Sequence, residues 1–506
     1  MTHPTVVSAP GKVLFAGGYL VLDRQYTGLV IATSSRFYCV VSPTSTSVTA
    51  GSSARITVRA GQFPRDASTW SYVVSASPRG VVVQPEVSEG RNKFVEITLS
   101  NALRVVAEYS AKEGEEDLAA ASAALVDTIN KQGGLDIVVL ANNDFYSQRE
   151  QLSALSLPPL YSSLDALQPF APLPRPIHKT NKTGLGSSAA LVTSLTAGIL
   201  AHFQIVSIPS PSPSDTPRDP STSPRADIEL VHNLSQFSHC LAQGKVGSGF
   251  DISSAVFGTH IYRRFSPSVL APLMGSEAPI RILPQLRSSA WDHTTLPFAL
   301  PRGLRLMLAD VDAGTDTPSF VGKVLKWRAE SVDKAKSLWD SLGAANERLG
   351  QLLRNLAGMQ GEEAYPEVLS SASTREIEQV CRTIPCLPPS LLPTHTLHPD
   401  PSTIRSHLQQ MSARSDVPIE PAEQTRLLDT CSRLPGVLGG TVPGAGGYDA
   451  IVLLVIDAPH VVAAVERTWA EWREMSVCPL SAMQSDGGIQ LERLEGVKGL
   501  KERLSE

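Results

Sequence analysis

An α+β protein folded as two domains is what this sequence predicts, and three observations carry that reading. The chain has 506 residues, beyond the size at which a single hydrophobic core stops growing. Its opening third is rich in β-forming runs punctuated by turns and carries few helical stretches. After Pro301 the pattern changes to strand-then-helix units, which suit an α+β second domain. The first domain is placed at residues 1–295 and the second at 300–506, with the boundary just before a strand that begins at Leu304.

In the first domain, strands are expected at Lys12–Ala16, Leu29–Val41, Ala54–Arg59 and Phe94–Leu99. A helical stretch over Asn101–Gln132 and a strand at Leu135–Leu140 follow. Ala189–Phe203 is apolar enough for a buried helix and starts directly after a Gly-Ser loop. Leu157–Pro176, Pro209–Pro224 and Pro385–Pro401 are too proline-rich for regular elements and read as loops or insertions, spanning 207–225 and 385–401 for the last two. Pro209–Pro224 has almost no apolar side chain to offset the cost of ordering it. In the second domain the strand Leu304–Asp310 leads through a Gly/Thr/Pro turn into a helical stretch from about Ser319 to Leu353. A second turn, Pro443–Tyr448, precedes the apolar strand Ala450–Ile456 and an amphipathic helix over Pro459–Met475. No internal repeat is visible.

Composition narrows the functional classes. With 42% hydrophobic and 18% charged residues, the chain has material for sizeable cores and does not fit wholesale disorder. A formal charge of -5 gives no global basic field, which argues against a nucleic-acid partner. The six cysteines, Cys39, Cys240, Cys381, Cys386, Cys431 and Cys478, show no paired metal spacing and read as reduced thiols. No apolar run reaches the length of a membrane span, and no basic-then-apolar signal pattern opens the chain. The expectation is a cytosolic, cytoplasmic protein without a membrane partner.

The most informative local segment is Lys182-Thr183-Gly184-Leu185-Gly186-Ser187-Ser188-Ala189-Ala190, which runs straight into the expected helix. Gly184 and Gly186 let the backbone approach a ligand closely, and the first N–H groups of a helix are unpaired at its positive end. Phosphate oxygens suit such a site. Ser187 and Ser188 offer hydroxyls that cap the helix or ligate a metal, and Lys182 adds a full charge at the mouth. A capped helix with a glycine turn and no ligand accounts for these residues equally well on their own. No stretch fits G-x-x-x-x-G-K-[ST], and no protein-kinase catalytic-loop pattern is present. Two further segments accompany the loop: Ser8-Ala9-Pro10-Gly11-Lys12-Val13 near the start and Pro443-Gly444-Ala445-Gly446-Gly447-Tyr448-Asp449 near the end.

Together these three segments resemble the motifs of the GHMP kinases, spaced over nearly the whole chain. Asn143–Gln148, Gln243–Asp251 and Gly314–Ser319 are similar to the eukaryotic phosphomevalonate kinase branch. The resemblance implies an N-terminal domain like the second domain of a ribosomal small-subunit protein, a ferredoxin-like C-terminal domain, and an active site between them. It implies ATP and Mg²⁺, with phosphomevalonate as the small-molecule partner. ATP binding falls to Gly184, Leu185, Gly186, Ser187, Ser188 and Ala189, and Ser188 is the metal candidate. Asp251 matches the acidic residue that faces the phosphoryl acceptor, and Lys12 the lysine that pairs with it; Lys182 joins them as a catalytic candidate. An attacking oxygen has to be held in line with the γ-phosphoryl group, and charge neutralisation assists the transfer. Taken singly, Lys12 also reads as a residue at a strand edge and Asp251 as a helix-start aspartate.

Substrate contacts carried over from the matching segments are Ser248, Gly249, Gly444 and Ala445, with Thr315 and Ser319 behind them. Lys245, Arg263, Arg264 and Lys323 are basic candidates for the acceptor's anionic ends. One departure stands out: several GHMP kinases place a glutamate metal ligand about three helical turns before the catalytic aspartate, where this chain has His239-Cys240. These two read as buried packing residues on a helix. Other readings are another GHMP member, such as mevalonate kinase or diphosphomevalonate decarboxylase, and a catalytically silent nucleotide-binding sensor.

Overall fold

The larger of two sheets is assembled around a long, irregular strand pair. β1 (Thr5–Ala16) and β2 (Gly28–Pro43) pair antiparallel, with register shifts between Pro10 and Lys12 and between Leu14 and Ala16. A β-bulge bends a strand and re-aims its side chains, and here it falls on the Gly11-Lys12 motif. The structure, a computed structural model, describes residues 4–44, 51–111, 115–210, 225–275, 279–311, 317–363, 365–373 and 401–505. All of the proline-rich Pro385–Pro401 but its last residue, and most of Pro209–Pro224, therefore lie outside the described residues, as do Thr315 and its turn.

Beyond β2 the sheet continues through β3 (Ser53–Ala60), β4 (Thr69–Ser77), β5 (Gly80–Pro85) and β6 (Leu135–Ala141). β6 lies between β2 and β3, antiparallel to the first and parallel to the second. β7 (His260–Arg263) pairs with β2 and with β8 (Thr294–Pro297). The second sheet has the order β10-β11-β9-β12, formed by β9 (Leu304–Asp310), β10 (Val437–Thr441), β11 (Ala450–Ile456) and β12 (Cys478–Leu480). Central β9 and β11 are almost continuous apolar runs because both their faces are covered. After β12 the chain returns to the larger sheet: β13 (Gln484–Ser485) pairs with β2 and β14 (Gln490–Glu492) with β1.

One expected strand is a helix. Phe94–Leu99 forms the start of α1 (Lys93–Ser110), where the Asn92 side chain accepts from the N–H of Phe94 at 3.1 Å and of Val95 at 3.4 Å. The β-branched Val95, Ile97 and Thr98 mimic a strand locally. The cap and the buried stripe Val95, Leu99, Ala102, Leu103, Val106 outweigh that weak preference. The helical stretch that follows is two helices, α1 and α2 (Glu115–Lys131). β4 and β5 were not anticipated, although Trp70, Tyr72 and Val74 alternate inward along β4.

α3 (Ser187–His202) and α5 (Phe250–Phe257) cover the inner face of the larger sheet, with α3 on β1 and β2 and α1 beside it, and α4 (Arg225–Gln243) packs on α1, α3 and α5. The expected long helix of the second half is split at Ser331 into α6 (Thr317–Glu330) and α7 (Val332–Gly358). α8 (Pro459–Glu471) packs on β11 and β12 and stops before Met475. Buried Asp310 at the end of β9 receives the Ser147 hydroxyl at 2.7 Å and the Arg149 guanidinium at 3.2 Å, so the second sheet is tied to the segment after β6. No described helix is long and apolar enough to cross a membrane.

Candidate active site

A cleft of about 1040 Å³ is lined from both sheets' surroundings. One wall carries Lys12, Lys182, the loop Gly184–Ser188, and Lys245–Asp251; the other carries Val321 and Leu325 of α6, Val442–Gly446, Asp449 and Ala450. Three segments far apart in sequence thereby meet.

The glycine loop takes its shape from two left-handed residues, Gly184 at φ 78° and Gly186 at φ 79°. Gly186 is the N-cap of α3 and no side chain caps that helix, so its leading N–H groups are left for a ligand. The expectation that Ser187 or Ser188 caps α3 is not met, since a residue inside the first turn cannot also supply the cap. The Ser188 hydroxyl instead lies 3.1 Å from His239 Nε2. A Cβ on Gly186 would stand 2.9 Å from Lys12 Cε, so the glycine also makes room for the lysine. Lys12 reaches the loop twice: its N–H donates to the Leu185 carbonyl at 3.0 Å and its Nζ to the Gly184 carbonyl at 2.7 Å. Ala189 differs from its neighbours, because its side chain is buried in the core and does not line the cleft.

Asp251 sits in the first turn of α5, whose N-cap is Gly249 at φ 78° and again carries no side-chain cap. Two uncapped helix starts therefore flank the same cleft. A Cβ on Gly249 would approach Phe265 to 2.7 Å and Gln236 to 2.8 Å, which explains glycine there. Burial lowers the Lys12 pKa, against the raising influence of Asp251 and Asp449. Lys182 is accessible at the cleft mouth, yet the walls around it displace enough water to lower its pKa as well.

The final turn is held from outside. Tyr19 donates to the Ala445 carbonyl at 2.6 Å, and Gly447 N–H to the Ile419 carbonyl at 2.9 Å. Ile419 is itself fixed next to Glu420, whose buried carboxylate takes the Arg405 guanidinium at 2.6 Å. Gly446 has φ 75°, and a Cβ there would lie 2.1 Å from the Ile419 carbonyl oxygen. Gly446→Ala is expected to destabilise the fold by about 2 kcal/mol or more, from left-handed strain plus overpacking. Thermal unfolding of the variant checks this.

The four basic candidates separate. Lys245 lines the cleft and is exposed. Arg264 lines it too, but its guanidinium donates to the carbonyls of Leu22, Val246 and Gly247, so it shapes the 246–249 loop. Arg263 bonds the Arg24 carbonyl at 3.3 Å and Lys323 lies 3.5 Å from the Asp416 carbonyl; neither lines the cleft. Ser319 is exposed on α6 and also lies off it.

Sequence reasoning missed one face of α4. Gln236, His239, Cys240 and Gln243 all line the cleft, and their i, i+3, i+4, i+7 spacing was the available signal. His239 and Cys240 are buried on their helix as expected, at 4% and 1% exposed, and His239 Nε2 in addition lies 3.1 Å from Ser188 Oγ and 4.0 Å from Asp251 Oδ2. Burial lowers its pKa, with Asp251 acting in the opposite sense. Asp449, beside Gly184, was missed as well. A second cavity of about 440 Å³ shares Phe94, Lys182, Ser187 and Ser188 with the cleft and is walled by Phe37, Phe63, Trp70, Tyr146 and Ile177.

Among the described residues, Glu229, His232 and His293 bring donor atoms within 4.8 Å of one another. None lines the cleft. Hydrogen bonds account for the His232 ring, whose nitrogens face Asn233 Oδ1 at 2.8 Å and Gln236 Nε2 at 3.1 Å. His293 pairs with Glu229 at 3.2 Å.

No family model matches the chain. Full-length relatives do. The phosphomevalonate kinase erg8 of Aspergillus fumigatus is 35% identical, covering 99% of this chain and 97% of its own length. The phosphomevalonate kinase ERG8 of Gibberella zeae is 35% identical, covering 99% of each. The peroxisomal phosphomevalonate kinase of Arabidopsis thaliana is 34% identical, covering 96% of each. Among solved structures, the Lin0012 protein of Listeria innocua superposes with a TM-score of 0.58 at 14% identity, covering 97% of this chain and 99% of that one. The Streptococcus pneumoniae phosphomevalonate kinase, in complex with phosphomevalonate and AMPPNP, gives 0.52 at 13%, covering 92% and 96%. At such identities the two structures speak for the fold.

Proposed function

The chain belongs to the phosphomevalonate kinase family, and from that membership we propose that its cleft passes the γ-phosphoryl group of ATP to (R)-5-phosphomevalonate. The products are 5-diphosphomevalonate and ADP. An oxygen of the acceptor phosphate forms the new bond to γ-phosphorus as the bond to the bridging β–γ oxygen breaks. The observation that carries this assignment to the cleft is the convergence of Lys12, Lys182, Asp251 and the uncapped start of α3 on one cavity.

The glycine loop and the N–H groups behind it suit the triphosphate, with Lys182 at the mouth. The adjoining aromatic cavity suits the flat, apolar-faced nucleoside. At neutral pH the acceptor is a phosphate monoester whose attacking oxygen needs little deprotonation, so the site's task is to bring two anionic phosphates together. Lys12, lodged between the Gly184 carbonyl and the Asp251 charge, is the group placed to screen them. Asp251 orients the Lys12 ammonium and faces the acceptor. The Ser248-Gly249 and Gly444-Ala445 segments and Lys245 surround the remainder of the acceptor, with Val321 and Leu325 opposite as apolar cover.

Hard oxygen donors are present for Mg²⁺: the Ser188 hydroxyl, with the Asp251 and Asp449 carboxylates in the same cleft. That set fits an ion which keeps most of its shell from phosphates and water. Ser188 is the ligand we assign, and the ion would supply charge neutralisation of the triphosphate. A cytosolic location accords with the buried free thiols of Cys39, Cys240, Cys431 and Cys478.

Coupled ADP release with purified protein tests the function. Turnover is expected on phosphomevalonate and at most a trace on mevalonate or diphosphomevalonate. Strong turnover on mevalonate and none on phosphomevalonate would overturn the substrate, and ATP binding without turnover on any of the three acids would make the chain a silent sensor.

A further inference from the structure

We propose that His239 is a positioning residue for phosphoryl transfer, fixing the Ser188 hydroxyl of the glycine loop next to the Asp251 carboxylate. The proposal rests on the kinase reading above. Its basis is the convergence on a single ring nitrogen. His239 Nε2 lies 3.1 Å from Ser188 Oγ, 3.3 Å from Gln243 Nε2 and 4.0 Å from Asp251 Oδ2. The Gln243 amide, one turn further along α4, donates to Nε2, which makes that nitrogen an acceptor. In the tautomer with Nε2 unprotonated, the Ser188 hydroxyl donates to the same lone pair, which the two donors share. With its proton committed to the ring, the hydroxyl's lone pairs are left for the nucleotide side of the cleft.

The ring is itself locked. It is 4% exposed, and the Phe94 ring packs against it with centroids 5.5 Å apart. α4 therefore braces the start of α3 through Ser188, at a point where the start of α5 brings Asp251 Oδ2 within 4.0 Å of the same ring nitrogen. A hydroxyl that turned freely would offer its proton to the phosphates in some rotamers and its lone pairs in others. Removing that freedom sharpens the reacting geometry and adds little to nucleotide affinity.

Isosteres separate this role from packing. The amide of His239→Gln reaches the Nε2 position, while that of His239→Asn reaches only the Nδ1 position. Both are polar, but Asn is one methylene smaller, so a Ser188→Ala background is what separates the hydrogen bond from lost volume. His239→Asn is expected to lower kcat about 10- to 100-fold, with the KM for ATP within about threefold of wild type. His239→Gln should recover kcat to within about fivefold of wild type. In a Ser188→Ala background His239→Asn should cost less than about threefold further, because the partner it acts through is gone. Melting curves confirm that the compared proteins are folded. Equal kcat for the Asn and Gln variants, or an undiminished cost in the Ser188→Ala background, would overturn the role and leave the kinase reading intact. A wild-type protein inert towards phosphomevalonate would overturn both.

Discussion

Asp251→Asn is expected to lower kcat by about 10²- to 10⁴-fold, the range for removing a positioned acid–base or orienting carboxylate. The KM for ATP should change little, since the triphosphate loop lies on α3 and not on α5. The size of the effect has two sources. The substitution removes the carboxylate at the acceptor side, and it also withdraws one of the two negative charges that favour the protonated form of the half-buried Lys12. Both losses fall on the step in which two anionic phosphates approach. Asp251→Ala should behave like the asparagine variant, because among the described residues the carboxylate's hydrogen bond is local, Oδ1 accepting from the next residue, Ile252 N–H, at 3.0 Å. Circular dichroism and melting should therefore resemble wild type. Steady-state kinetics on phosphomevalonate decide the matter, and a kcat within tenfold of wild type would remove Asp251 from the mechanism.

The glycines of the site were legible in the sequence because each answers a local demand, a left-handed backbone at Gly184, Gly186 and Gly249. The strands Leu304–Asp310 and Ala450–Ile456 were legible for a similar reason, since a short uninterrupted apolar run fits a strand covered on both faces. What escaped depended on packing at a distance. Phe94–Leu99 carries β-branched residues that imitate a strand, and the Asn92 cap together with burial against the core makes it helical. His239 escaped because its importance lies in Ser188 and Asp251, 51 and 12 residues away in sequence but within 4.0 Å in space. The closing strands β13 and β14 are two and three residues long. Their pairing with β2 and β1 exists only once the larger sheet has formed.

Replacing Lys12 by Met should cost about 10²- to 10³-fold in kcat/KM, comparable to deleting a preorganised group that stabilises charge in the transition state. The methionine keeps much of the aliphatic bulk packed against Gly186, so the loss reports the ammonium and not a cavity. A pH signature follows with a definite sign. Burial disfavours the charged form of Lys12 and prevails over Asp251 and Asp449, which favour it, so the pKa lies below that of a free lysine. The charge is present at low pH and is lost as pH rises through this lowered value. The alkaline limb of kcat/KM therefore begins below the ordinary lysine range of about 10.4. Asp449→Asn removes one of the two opposing carboxylates and should move that limb to still lower pH. Lys12→Arg keeps its charge far beyond that range and should shed the Lys12 part of the limb, though its planar, forked head group cannot reproduce the single Nζ contact with the Gly184 carbonyl. If the Asp449→Asn limb moved upward, Lys12 would not be the group whose charge the reaction requires.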